Sequence, residues 1–338
     1  MTKWRILAAA ATIAALSVYV GISWGADQAG PQVAVRVIEL NKNPSVEKAP
    51  VISGVAIDRT GKILATAGDD HILRIWNLDD GKIVYKLTSH TDWIKTVVFR
   101  PDGKAVATAG NDRRIRIWDL AAAGQPAELP EQAQAIRALA YSPDGKLLAS
   151  AGFDDKVRVY SSDGRLPSEL DGPGIDLSAV AFSPDGTQIA AAGRAGTIRL
   201  WNVATGATTA EIQASARRIS ALAYSPGGRQ LAAGGDDRAV RIFDPASGNV
   251  LAALPQQPGK IRTLQFCGEK HLAAGDTENV IRLWNLSSKT EENQLVGHTG
   301  TVSALAYDAQ AGTLVSGSFD TTVRVWNIAG GREGITQR

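Results

Sequence analysis

The chain has 338 residues, 44% hydrophobic and 21% charged, a composition that can bury a substantial core and excludes disorder as the default. Its 36 Lys and Arg against 34 Asp and Glu give a net charge of +2, and loss of Lys3 and Arg5 with an N-terminal segment leaves 34 of each sign. A neutral body lacks the clustered positive surface that sequence-independent nucleic-acid binding needs, so nucleic acid is not expected as a partner.

The first feature in chain order is an address. Lys3 and Arg5 precede the uncharged run of residues 6–22, ILAAAATIAALSVYVGI, the positive-then-apolar order of an export signal. At 17 residues the run exceeds the usual apolar core of a cleaved signal and sits at the lower limit for spanning a bilayer. Ser23 and Gly25 offer a small-residue cleavage site, whereas Trp4, Tyr19 and Trp24 suit interfacial anchoring, and both outcomes stay open. Residues 1–26 are therefore read as a hydrophobic helix serving as signal peptide or signal anchor. The body is expected outside the cytoplasm: periplasmic, secreted, or tethered to a membrane through residues 6–22.

Residues 27–50 contain a strand-like run, VAVRVIEL at 33–40, followed by a linker with Pro and Lys. From residue 51 to 330 one pattern repeats. An aromatic closes a short alternating strand at Trp76, Trp118, Tyr160, Trp201, Phe243, Trp284 and Trp326, each 41 or 42 residues from the last. Two positions earlier stands an arginine: Arg74, Arg116, Arg158, Arg199, Arg241, Arg282 and Arg324. Their regular spacing and the alternation around them read as solvated strand faces with packed stems rather than a groove. Upstream come two more apolar runs joined by turns such as Arg100-Pro101-Asp102-Gly103 and Ser142-Pro143-Asp144-Gly145, in which Pro presets φ and Gly supplies positive φ. A fourth apolar segment follows each aromatic. Residues 331–338 form a tail.

This spacing resembles the WD-repeat family. The resemblance implies an all-β, seven-bladed β-propeller of four-stranded antiparallel blades, with the strand at 33–40 closing the ring as the outer strand of blade seven. It also implies a hydrogen-bonded set of His, Ser or Thr, Asp and Trp in each blade. Two units carry it whole: His90, Thr108, Asp112 and Trp118, then His298, Ser316, Asp320 and Trp326. Asp70, Asp154 and Asp237 occupy the same repeat position as Asp112 and Asp320, which suits a structural duty. The fourth unit has Ala195 there and the sixth Glu278, so those blades are expected to rely more on apolar packing.

Chemistry is sparse. His90 and His298 belong to the networks, leaving His71 and His271 for a metal site, and the Gly21–Gly25 match to a nucleophile elbow falls in the export segment without its strand-to-helix context. The lone cysteine, Cys267, sits where other repeats carry a turn Ser, and no disulfide within the chain is possible. No catalytic residue, cofactor or metal is expected, and the chain reads as a non-enzymatic scaffold for a protein partner in the cell envelope or secretory space. The alternative is an enzyme or ligand binder using the central channel. In the family, partners dock where the first strand begins and the turn after the second projects. Carried over, those positions supply Trp93, Phe153 and Phe319 from blades two, three and seven, and Arg194, Arg218 and Lys260 from blades four to six. They are the expected partner-binding residues, an aromatic half and a basic half.

Overall fold

The computed structural model describes residues 35–39, 49–122, 125–162, 164–166 and 168–328. The expected N-terminal helix and signal or anchor of residues 1–26, and the tail 331–338, lie outside them. No helix occurs among the described residues.

Seven four-stranded antiparallel sheets form the blades. In blade two the strands are Ile94–Phe99, Ala105–Gly110, Ile115–Asp119 and a short outer strand, Ala127–Glu128. The Pro-Asp-Gly turn between the first two works as its chemistry requires: Gly103 takes φ 71°, its N–H donates to Arg100 O at 2.8 Å, and Asp102 accepts from the Lys104 N–H at 2.9 Å. The first strand of each blade lies beside those of both neighbours, from Ile52–Ile57 round to Val302–Asp308, which returns to Ile52–Ile57. These are the inner strands of a closed ring.

Blade seven is completed from the other end of the chain. Val35–Glu39 pairs antiparallel with Thr322–Asn327, Val35 opposite Trp326 and Glu39 opposite Thr322. The blade 7–1 interface thereby has a core like the other six, built from Ile38, Ile52, Val55, Leu64, Trp76, Val315 and Val323.

Second strands are buried nearly end to end, because each is sandwiched between two blades, and their sequences are correspondingly small: AVATAG, LLASAG, QIAAAG. Gly317 shows why. A Cβ there would stand 2.6 Å from Ile52 Cγ2 and 2.7 Å from Val55 Cγ1, inside van der Waals contact across the 7–1 interface. Each repeat aromatic packs against the preceding blade, Trp118 on blade one and Trp326 on blade six, at 3% and 1% exposure. Truncating such a side chain costs roughly 3–5 kcal/mol.

Candidate interaction face

Where the inner strands begin, every blade carries a β-bulge. The register with the second strand slips between Ile52 and Gly54, Ile94 and Thr96, Ile136 and Ala138, and at the equivalent points of the other four blades. A bulge leaves one residue unpaired and re-aims its side chain. Here those residues are Ser53, Lys95, Arg137, Ser178, Ser220, Arg262 and Ser303. The serines bind locally: Ser303 donates to Ile52 O of blade one at 2.5 Å, Ser53 donates to Ile94 O of blade two, and Ser178 accepts from Arg218 at 2.9 Å.

The cations join an arc of alternating charge at this upper mouth of the ring. Arg218 grips Asp176 through both nitrogens, at 2.8 and 2.5 Å, and Arg262 reaches Asp236 at 3.3 Å. Arg137 lies 4.0 Å from Asp176, at the limit of ion pairing. The Arg218 hydrogen bonds hold the Asp176 carboxyl below its usual range despite its burial, with help from Arg137 and Arg194. Asp176 is itself strained: a non-glycine at φ 62°, it sits in the left-handed region with its carboxylate turned toward blade five.

The opposite arc is aromatic. Trp93 and Phe319 meet at a centroid distance of 6.1 Å, and Lys95 Nζ lies 2.9 Å from the centre of the Trp93 ring. Arg137 lies over Phe153 at 5.1 Å. Phe153 and Phe319 are 42% and 43% exposed, while Trp93 is half-buried with its Nε1 lacking a hydrogen-bond partner. Of the residues expected to contact a partner, the structure thus brings Trp93 to Phe319, and engages Arg218 with Asp176. Arg194 and Lys260 are exposed, the latter donating its backbone N–H to Thr277 Oγ1 at 3.0 Å. Lys95, Arg137, Arg262, Asp176 and Asp236 escaped the sequence reading as parts of one charged arc. Their signal was the bulge position, which reads Ser, Lys, Arg, Ser, Ser, Arg, Ser through the repeats.

The turns that build this face are held by the repeat aspartates. In blade two the Trp118 indole donates to Thr108 at 2.8 Å, the Thr108 hydroxyl lies 2.7 Å from His90 Nε2, and His90 Nδ1 lies 2.8 Å from Asp112. One proton arrangement, Trp to Thr to His to Asp, satisfies every donor. Blade seven repeats it, with His298 2.8 Å from Asp320 and 2.7 Å from Ser316, which accepts from Trp326 at 2.8 Å. The other carboxylate oxygen of each Asp takes a backbone N–H two residues on, as Asp237 does from Ala239 at 3.1 Å, and in four of these five blades the residue between adopts positive φ: His71, Arg113, Arg238 and Thr321. Blade four lacks the Asp, and glycine, Gly196, holds the left-handed position instead.

The strand arginines require a correction. They do not form a uniformly solvated face: Arg74, Arg116 and Arg282 are buried, because blades stack on both sides of a strand, while Arg158, Arg199, Arg241 and Arg324 are half-buried. Arg74, Arg116, Arg158 and Arg241 bind the aspartate four residues earlier at 2.5, 2.6, 2.7 and 2.6 Å, and in blade six Arg282 binds Asp276 instead. Gln132 takes the histidine position of blade three and donates to Ser150 at 2.7 Å. Ser215 does so in blade five, donating to Asp237 at 2.9 Å. The 28-residue spacing to the aromatic marks both. His71 follows a second strand and His271 opens one, placing them at opposite ends of the ring.

Residues 51–267 match the family model described as the IFT122 first beta-propeller, and residues 289–327 match the WD domain, G-beta repeat. The chain belongs to the WD-repeat β-propeller family. Its relatives include ribosome biogenesis protein YTM1 of Eremothecium gossypii, 42% identical over 59 residues, 18% of this chain and 13% of that protein. Cell division control protein 4 of Saccharomyces cerevisiae is 45% identical over 71 residues, 21% of this chain and 9% of that one. The p21-activated protein kinase-interacting protein 1-like of Gallus gallus is 31% identical over 83 residues, 25% and 22% of the two chains. The matches span less than a quarter of each of these relatives.

These comparisons overturn the expectation of export. Relatives named for ribosome biogenesis, cell division and association with U3 small nucleolar RNA point to an intracellular protein rather than a periplasmic, secreted or externally anchored one. A charged, then apolar N-terminus is a local pattern, and its 17-residue length fits more than one fate.

Proposed function

We propose that this propeller is a non-enzymatic scaffold for protein–protein interaction and that its partner docks on the upper face, over Trp93, Phe153 and Phe319. The observation that carries this reading is the placement of two half-exposed phenylalanines and a half-buried tryptophan, with Lys95 against Trp93 and Arg137 against Phe153, on the face where bulges and turns converge. Aromatic and Arg side chains bury large area at low entropic cost and dominate binding energy at interfaces. Arg194, Arg218 and Lys260 border the same face as its polar rim. A relative named for interaction with a protein kinase is in keeping with this reading.

The test compares proteins co-purifying with the full chain and with a Trp93→Ala, Phe153→Ala, Phe319→Ala triple variant whose melting curve stays near wild type. A partner should be retained by the first and lost from the second. Equal recovery by both would place the docking surface elsewhere.

A further inference from the structure

Two of the cations at the mouth lack a short ion pair. Asp176 is engaged by Arg218 and Asp236 by Arg262, which leaves Lys95 and Arg137, holders of the same bulge position in consecutive blades. Among the described residues Lys95 has no carboxylate within ion-pairing distance, and Asp92 and Asp69 act on it only through space. The Asp176 oxygen that lies 4.0 Å from Arg137 already accepts from Arg218 at 2.8 Å. Each cation lies against an aromatic ring, Lys95 on Trp93 and Arg137 on Phe153.

We propose that Lys95 and Arg137 form an anion site that takes a carboxylate side chain from an acidic segment of the docked partner, with an adjoining apolar residue of that segment against Trp93 and Phe319. The proposal rests on the docking reading above and names the chemistry of the occupant. The two cations repel while the site is empty. Burial, then the charge of Arg137, pushes the Lys95 ammonium down to about 8, and burial together with Arg218 and Arg262 lowers Arg137, against the opposing fields of Asp176 and Asp236. An anion between them replaces that repulsion by two charge-assisted hydrogen bonds, and the partly desolvated setting strengthens both. A carboxylate on a peptide, rather than a free anion, uses the neighbouring rings as well as the charge. Anion binding favours charged Lys95, so affinity should fall as pH is raised through about 8.

Three short labelled peptides test this against the full chain by fluorescence anisotropy: one alternating Phe and Glu, one with Gln for Glu, and one with phosphoserine for Glu. The Glu peptide should bind about tenfold tighter than the Gln peptide at low ionic strength, with the gap closing in a Lys95→Gln, Arg137→Gln variant. Because that variant removes two mutually repelling charges, its melting temperature should equal or exceed wild type, separating loss of binding from loss of fold. Equal binding of Glu and Gln peptides, or a gap that survives in the variant, overturns the anion site while leaving the docking face standing. Binding of the phosphoserine peptide alone makes the oxyanion a phosphate and overturns the carboxylate assignment. Absence of binding by all three, or binding by the triple aromatic variant equal to wild type, overturns both readings.

Discussion

Replacing Asp112 by Ala removes the carboxylate on which blade two's polar network closes. Asp112 is 3% exposed at its side chain and Arg116 5%, and the two meet at 2.6 Å. Deleting one member of a buried pair strands the other and costs about 3–5 kcal/mol. Arg116 also bonds Ser89 and Glu128, at 3.0 and 2.9 Å, so its charge is not wholly abandoned and the loss should fall near the lower end, about 3 kcal/mol. Asp237→Ala is the matched control. It holds the same repeat position, but its pair with Arg241 is 18% and 32% exposed, and solvent screening should limit the loss to about 1 kcal/mol. Urea denaturation followed by circular dichroism and tryptophan fluorescence, with coincident transitions, supplies both values. Equal losses at the two sites, or less than about 1 kcal/mol at Asp112, would refute the claim that burial sets the worth of these pairs. Acid gives an independent readout. Burial works to raise the Asp112 carboxyl, but hydrogen bonds from His90, Arg116 and the Arg114 N–H outweigh it and hold the group well below 3.8. The stabilisation is complete above that value and drains away as pH falls below it, so the gap between wild type and Asp112→Asn should narrow under the same titration.

Blade six offers a gain. Its Trp284 Nε1 is buried without a partner because Ala274 stands where Thr108 and Ser316 accept from their tryptophans, so Ala274→Ser should stabilise by about 1 kcal/mol in the same urea assay. A loss instead would mean that the site cannot hold the extra oxygen. Ile38→Ala should cost about 2–4 kcal/mol and shift one cooperative transition, because Ile38 belongs to the core that joins blade seven to blade one. A separate early transition would argue that the closing strand frays independently. Burial pushes the Cys267 thiol up to about 12, so Ellman's reagent at mildly alkaline pH should leave it unmodified in the native protein and titrate it fully in denaturant. Rapid native labelling would contradict that.

Much of the architecture is legible because a propeller writes the same packing problem seven times. An aromatic such as Trp201 must fill the gap to the preceding blade in every unit, and the spacing follows. Arg74, Arg116 and Arg282 were misread for the reason that makes them buried: alternation along Ile115-Arg116-Ile117 says that two faces differ, not whether the second face meets water or another blade. The charged arc at the mouth was hidden by the bulges. One extra residue near the start of each inner strand breaks the period of two, so alternation along the strand does not mark Lys95 and Arg137 as members of one arc. Gln132 was overlooked because a fixed role in the network can pass to a different donor when the spacing is kept.

The pairing of Val35–Glu39 with Thr322–Asn327 also sets a schedule for biosynthesis. The closing strand is made before every blade and has to wait for a mate that follows six of them. Through elongation the growing chain is an open horseshoe. Its two ends carry Ile52 and Val55 on one side and, once made, Val315 and Val323 on the other, apolar surfaces whose only proper cover is each other. The pairing joins residues separated by most of the chain, the slowest kind of contact to form. This nascent intermediate is where a chaperone would find its grip, and where a neighbouring copy could supply the missing strand and lock two rings together before either had closed.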